Sequence, residues 1–322
     1  MLVCDIVYLM GNVFITGAAG LIGRAVRQEL QARGFVVGGC DLRSTIPSER
    51  FDFRNDRKIR DALVNYDGVL HLGALSRVVW GETYPDLCQN INIDGTRGLM
   101  KAVGELSRRM WFVFASSREV YGTPARLPCT SSTPLNPENV YAKSKLAGEH
   151  MVEDLRRHGI RVAVVRFSNV FGDTEDYHDR VVPAFAKAAA SGGVLYVRGG
   201  GSIFDFTPLA DAVRAAVAVV EAVHAGVSDL PTMDIVTGRA TSLLELAQMA
   251  LAHGTGDIVM EDRLSFYPSR FQGDPSPAEK HLGWIPCESM EESVGRLVED
   301  FKQAKEQAHA NTQNYSWLSA AL

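Results

Sequence analysis

The sequence predicts an α/β fold, a doubly wound parallel sheet followed by a smaller, mixed α/β lobe, and three observations carry that prediction. Short apolar runs alternate with longer amphipathic ones from Val13 onward; the short runs are apolar throughout; and a glycine-spaced turn at Gly17, Gly20 and Gly23 joins the first strand to the first helix. Strands buried on both faces and separated by helices form a parallel sheet, because right-handed crossovers lay the helices on its two sides.

In order, the strands are Val13 to Thr16, Val36 to Asp41, Val69 to Leu72, Trp111 to Ala115 and Val162 to Phe167. Between them, Leu21 to Arg33, Pro85 to Leu106 and Glu138 to Arg157 carry apolar residues at helical spacing. Beyond Phe167 the rhythm loosens into a glycine-rich turn at Gly199, Gly200 and Gly201, a helix near Leu209 to His224 and a short strand near Met233 to Val236. Helices near Leu243 to His253 and Met290 to Lys305 follow. We expect residues 1–172 to form the sheet domain, with 203–238 returning to it, and residues 173–322 to form mainly the second lobe. The site then lies in the cleft at the C-terminal ends of the strands. Met1 to Met10 is apolar but has no basic start, no cleavage signal and too little length to span a bilayer, so it reads as an N-terminal extension. The tail from Glu306 to Leu322 is left unassigned.

Composition narrows the chemistry. The chain has 322 residues, with 33 Lys+Arg against 38 Asp+Glu for a net charge of −5. Hydrophobic residues at 46% and charged residues at 22% exclude disordered and fibrous classes, and the acidic balance argues against a nucleic-acid surface. Five scattered cysteines suggest neither a disulfide framework nor a metal pair, so a reducing cytoplasm is the simpler reading. The eight histidines are dispersed with no H-E-x-x-H, and no G-x-S-x-G turn is present, which disfavours a metal enzyme and a serine hydrolase.

Thr16-Gly17-Ala18-Ala19-Gly20-Leu21-Ile22-Gly23 falls where a dinucleotide pyrophosphate meets free amides and a helix dipole. Gly17 allows the tight turn, Gly20 the close approach of phosphate and Gly23 the helix-to-strand packing. Three glycines alone describe a tight strand-to-helix turn equally well. Asp41 closes the second strand where an adenosine ribose is bound, and its carboxylate favours NAD over NADP, an effect that Arg43 partly offsets. Tyr141 and Lys145 stand four apart on one helix face. That spacing also describes a solvated face. Against it stands Ser116-Ser117-Arg118-Glu119-Val120-Tyr121-Gly122, which directly follows the strand Trp111 to Ala115 and opens onto the same sheet edge as the glycine turn.

With these residues the chain resembles an extended short-chain dehydrogenase/reductase of the NAD-dependent nucleotide-sugar epimerase/dehydratase family, UDP-glucose 4-epimerase-like, with a Rossmann-type sheet. The likeness runs through TGAAGLIG from Thr16, Asp52-Phe53, HLGA from His71, Asn92 with Gly95-Thr96, SSREVYG from Ser116, YAKSK from Tyr141 and RFSNVFG from Arg166. It continues through Asp205-Phe206-Thr207, Asp211 and GDPSPAEKHLGW from Gly273. The resemblance implies that Tyr141 takes the sugar hydroxyl proton, Ser117 holds that hydroxyl and Lys145 binds the nicotinamide ribose and lowers the Tyr141 pKa. It implies NAD contacts at Gly17, Gly20, Leu21, Ile22, Gly23, Asp41, Leu42, Asp52, Phe53, Leu72, Gly73, Ala74, Asn92, Ser116, Tyr141, Lys145 and Phe167. Substrate contacts are implied at Ser76, Arg118, Glu119, Asn169, Val182, Phe204, Arg263 and Arg270, with no metal ligand.

Within the family, dehydratases usually carry Asp-Glu after the Ser/Thr, whereas this chain has Arg118-Glu119, which disfavours 4,6-dehydration. A 4-epimerase acting through a 4-keto sugar ranks first. A dehydratase or decarboxylase using Glu119 as second acid or base comes next, then an NAD-dependent sugar or sugar-acid dehydrogenase. A protein that only senses NAD is the reading from another class, and intact Ser117, Tyr141 and Lys145 argue against it. Arg118 meets a substrate carboxylate in one reading and is a surface arginine beside Glu119 in the other. Phe204 stands where the family often has a diphosphate-gripping Arg, so a smaller polyol or sugar acid explains it as well as a nucleoside-diphosphate sugar. The resemblance also implies a homodimer built on the helices containing Met100 and Tyr141, and the loops Leu75 to Trp80, Thr174 to Pro183 and Glu261 to Gln272 set specificity.

Overall fold

The structure, a computed structural model, describes residues 11–106, 110–199, 202–261 and 270–315. Arg263, Gly200, Gly201, the first ten residues and the last seven lie outside the described residues.

Six parallel strands form the central sheet: β1 (Asn12–Thr16), β2 (Val36–Cys40), β3 (Gly68–His71), β4 (Trp111–Ser117), β5 (Arg161–Phe167) and, after a long excursion, Met233–Ile235. The last pairs with β5 at the far edge, so the order across the sheet is β2, β1, β3, β4, β5, Met233–Ile235. Side chains alternate across the sheet, which splits the apolar runs between two cores. Val13 and Ile15 pack with α1 (Leu21–Ala32) on one face, while Phe14, Val69 and Phe112 pack with Leu99 and Val152 on the other. The central strands predicted as apolar throughout are therefore buried on both sides, all seven residues of β4 among them, while β2 at the sheet edge leaves Val36 exposed.

Sequence periodicity missed several short helices. α2 (Asp56–Leu63) begins at Asn55, whose side chain accepts a hydrogen bond from the Lys58 N–H, and α3 (Val78–Thr83) follows the loop after β3. The single helix predicted from Pro85 to Leu106 is three pieces, α4 (Pro85–Gln89), a wide π-type turn over Asn90–Gly95 and α5 (Thr96–Leu106). Such turns insert one extra residue, which re-aims side chains inside an otherwise continuous helix. α6 (Val140–Arg157) opens at Asn139, which caps the Ala142 N–H at 2.7 Å.

The second lobe is built from α7 (Val181–Ala190), the parallel pair β6 (Val194–Arg198) and Asp257–Glu261, α9 (Leu243–Ala252) and the first part of α11 (Met290–Tyr315) around Phe185, Leu246, Val294 and Leu297. α8 (Leu209–His224) crosses back and packs on α1, covering the sheet face that carries Val13 and Ile15. α10 (Ser276–Leu282) ends at Gly283 in the left-handed region and packs on α8. Among the described residues no helix is long and apolar enough to cross a membrane.

Candidate active site

Chain order reverses between β1 and β3, because β2 lies on one side of β1 and β3 on the other. A crevice opens at that switch point beyond the C-terminal strand ends. Gly17 follows β1 with φ +73°, donates its N–H to the Cys40 carbonyl at 2.8 Å, and would bring a Cβ to 2.8 Å from the Gly73 nitrogen. At Gly23 a Cβ would lie 2.2 Å from the Gly17 carbonyl, so this glycine lets α1 sit directly on the turn. Gly20 is the N-terminal cap of α1, where no side chain caps the helix and no acidic residue occupies the first turn. The free amides and positive dipole end are an anion site of the size of a diphosphate.

Asp41 follows β2 and ties this turn to its own loop: Oδ2 accepts the Ala19 N–H at 3.3 Å and Oδ1 the Arg43 N–H at 2.8 Å. Phe53 wedges between Gly73 and Gly95, where a Cβ on either glycine would touch its ring. Beneath the crevice, Thr16 Oγ1 receives the Gly73 N–H at 3.1 Å and lies 2.6 Å from His71 Nδ1, and His71 Nε2 lies 2.9 Å from Thr96 Oγ1. Complete burial, reinforced by the Lys145 charge, pushes the His71 pKa down to about 3, so this imidazole is neutral. Asn92, turned inward by the π-type turn, accepts the Leu75 N–H at 2.8 Å and donates to Ser144 Oγ at 2.9 Å. Its carboxamide holds the post-β3 loop against α6.

Ser117 ends β4 and caps the short turn Arg118–Tyr121, its Oγ accepting the Glu119 N–H at 3.3 Å. In the first two turns of α6, Tyr141 and Lys145 face inward together and are both buried. Burial raises the Tyr141 phenol pKa; the hydrogen bond with Ser117 opposes that rise, the Glu119 charge adds to it and the Arg180 charge opposes it. Lys145 Nζ donates to the Ala115 carbonyl at 2.8 Å and stands 5.9 Å from the Tyr141 ring centroid. Burial pushes its pKa down to about 8. Glu119 receives the Asn139 amide on Oε2 at 2.9 Å and the Arg118 guanidinium on Oε1 at 2.6 Å. Arg118 is buried, not on the surface, against Phe204 and Phe271 with guanidinium-to-ring distances of 5.3 and 5.6 Å.

The structure thus brings Ser117, Glu119, Tyr141 and Lys145 together, with Arg118 and Phe204 beside them. Leu21 and Ile22 are half-buried on the first turn of α1, while Leu42 is largely exposed and Asp52 is ion-paired with Arg54 at 2.5 Å. Leu72, Gly73 and Ala74 form the loop beyond β3, Ser76 is exposed in its continuation, and Phe167 is buried at the end of β5. Ser116 instead points below the site, where it donates to Glu149, itself paired with Arg166 at 2.6 Å. Asn169 takes φ +33° in the loop after β5. Val182 is packed in the core of the second lobe, because the phase of α7 turns it toward Phe185 and Leu246, and Arg270 is exposed.

Sequence reasoning did not single out Asn139, Arg180 or Arg77. Asn139 carries a local signal, a capping residue before a helical run. Arg180 precedes α7 and holds Asp176, four residues before it, at 3.0 Å, whereas Arg77 pairs with Asp179 at 2.6 Å in a tertiary contact that no local pattern encodes. Among the described residues no group of three or more His, Cys, Asp or Glu is placed to hold a metal ion.

Residues 13–231 match the family model described as NAD dependent epimerase/dehydratase family. The UDP-glucose 4-epimerase of Mycolicibacterium smegmatis is 28% identical over 316 residues, covering 90% of this chain and 98% of the relative. UDP-glucuronic acid decarboxylase 6 of Arabidopsis thaliana is 25% identical over 311 residues, covering 90% and 89%. The crystal structure of UDP-glucose 4-epimerase from Brucella ovis in complex with NAD superposes with a TM-score of 0.82 at 27% identity, covering 91% of this chain and 98% of the other.

Proposed function

The chain belongs to the NAD-dependent epimerase/dehydratase family, and on that premise we propose that it is a nucleotide-sugar 4-epimerase acting through a transient 4-keto sugar. The observation that carries this reading is the convergence of Ser117, Tyr141 and Lys145 at the mouth of an intact dinucleotide crevice. The crevice fits NAD: the uncapped first turn of α1 suits the diphosphate, the Gly17–Gly73 contact leaves no room for side chains, and Asp41 offers a carboxylate to the adenosine ribose. Bound NAD supplies the acceptor for a hydride and its later donor.

The remaining work falls to this chain. Ser117 Oγ holds the sugar hydroxyl, and Tyr141 Oη takes its proton and later returns it. As the structure stands, burial keeps the phenol protonated and a weak base. A cation brought close lowers that pKa, and Lys145, with its ammonium against the Tyr141 ring face, is the resident one. Asn139 and Arg118 occupy the oxygens of Glu119. Glu119 is then a binding residue in epimerisation and the second acid or base in the alternative reading, a decarboxylase or dehydratase, which the similarity to UDP-glucuronic acid decarboxylases supports. Incubation of the purified protein with UDP-sugars in heavy water, with the products weighed, tests the choice. An isomer of unchanged mass and no deuterium supports epimerisation; loss of water or carbon dioxide with deuterium gained supports the alternative.

The helix pair α5 and α6 suits a homodimer: Gly98 and Gly104 on α5 have open space where a side chain would stand, so a partner helix can approach closely. Light scattering at micromolar concentration tests it, and a monomer mass overturns it. The described cysteines are all free and three of the four are buried, which suits a reducing cytoplasm.

A further inference from the structure

Arg118 is 6% exposed, and among the described residues only Nη2 of its three guanidinium nitrogens has a partner, Glu119 Oε1; Nε and Nη1 are buried with none. A buried N–H left unpaired is costly, more so when the group is charged, so such an arrangement persists where something else offsets it. Arg27 and Arg214 also leave Nε without a partner, but they stand on α1 and α8, away from the Ser117–Tyr141 pair. Arg118 stands between Ser117 and Glu119 in sequence, and Glu119 is close enough to Tyr141 to raise its pKa.

We infer that Arg118 receives a carboxylate on the sugar itself, so that the substrate is a nucleotide sugar acid and not a neutral nucleotide sugar. The proposal rests on the nucleotide-sugar reading above and names its substrate class. Phe204 and Phe271, flanking the guanidinium, keep water from it and leave its charge to an oxyanion. Arg77, Arg180 and Arg166 are engaged by Asp179, Asp176 and Glu149, and Arg270 is exposed, whereas Arg118 is buried with two of its nitrogens unpaired among the described residues. A diphosphate offers the same oxyanion chemistry, but Arg118 is ion-paired with Glu119, whose charge reaches Tyr141, and follows Ser117, which holds the reacting hydroxyl in the proposed reading; both point to the sugar end.

The test is calorimetric binding of UDP-glucuronic acid, UDP-glucose and UDP to the NAD-loaded protein and to its Arg118→Met and Arg118→Lys variants. A charge-assisted contact predicts that the wild-type protein prefers UDP-glucuronic acid over UDP-glucose by about ten- to a hundred-fold. That ratio falls toward one in Arg118→Met and to an intermediate value in Arg118→Lys, with UDP affinity held. A wild-type ratio near one overturns the proposal even if neither variant folds. Equal loss of UDP and UDP-glucuronic acid affinity in the variants also overturns it and assigns the guanidinium to the diphosphate. Because binding is read without turnover, a preference for the acid in a protein that epimerises nothing counts against the 4-epimerase reading and not against Arg118.

Discussion

Tyr141 and Asp41 show how the environment of one residue decides what it does. Burial makes the Tyr141 phenol a poor base, so its use depends on Lys145, whose own pKa of about 8 leaves the ammonium charged at neutral pH. Tyr141→Phe removes the proton acceptor and leaves the crevice untouched. Turnover falls by about 10²–10⁴-fold while NAD remains bound, read by activity together with cofactor content after gel filtration. Asp41 is a turn-former, through Ala19 and Arg43, and in the proposed reading also the carboxylate that disfavours a 2′-phosphate. Asp41→Ala brings the Kd values for NAD and NADP within a few-fold of each other in a fluorescence titration; an undiminished preference for NAD would show that another group discriminates. These residues were legible because each sits in a motif. Arg118 was legible only as an alternative, since nothing in a single sequence says whether an arginine is buried.

At the scale of elements, the strands of the sheet and the long helices were readable, because burial on both faces writes an unbroken apolar run and amphipathicity a helical period. The π-type turn in Asn90–Gly95 was not. Its cause is tertiary: Asn92 must reach Leu75 and Ser144, and α-helical phase alone cannot turn it there. α2, α3 and α10, at six to eight residues, span only about two turns, too little for a periodic pattern to stand out, and they too escaped notice. The element most exposed to pH is β3, through His71. Its folded pKa of about 3 lies below the ordinary 6.5, so the unfolded chain binds a proton between those values that the folded chain does not. Stability is therefore full above pH 6.5 and declines by about 1.4 kcal/mol per pH unit as the pH falls toward 3. Denaturant titrations of wild type and His71→Gln at pH 7, 6, 5 and 4.5 isolate this slope. Parallel curves would show that His71 accepts its proton without cost.

For the whole molecule, the segment 173–180 joins parts far apart in the chain. Arg24, on the first turns of α1, holds Asp173 at 2.8 Å and also meets Glu175. Farther along, Asp179 takes the Arg77 guanidinium, which lies 5.1 Å from the Tyr177 ring centroid and 5.3 Å from that of Trp80, itself edge-on to Tyr177. One wall of the crevice is the glycine turn leading into α1, the other is the loop after β3, and this strap fastens both to the start of α7. The sequence marked Leu75 to Trp80 and Thr174 to Pro183 among the specificity loops but not that these two interlock, since an ion pair across 102 positions leaves no local trace. An epimerase of the proposed kind, which returns its hydride within each turnover, gains from such a strap, because an open crevice would lose NAD between turnovers. Arg77→Ala removes the ion pair and both ring contacts at once. Asp179 is mostly exposed, so the ion pair alone contributes little, and the stacked guanidinium carries most of the effect. We expect NAD to leave about ten-fold faster, matching about 1.4 kcal/mol, in a stopped-flow chase with excess unlabelled cofactor. The same variant should keep its melting temperature within a few degrees, since Arg77 lies outside both cores of the sheet. An unchanged dissociation rate would mean that retention is set by the glycine turn and Asp41, and that the strap only shapes the substrate side of the cleft.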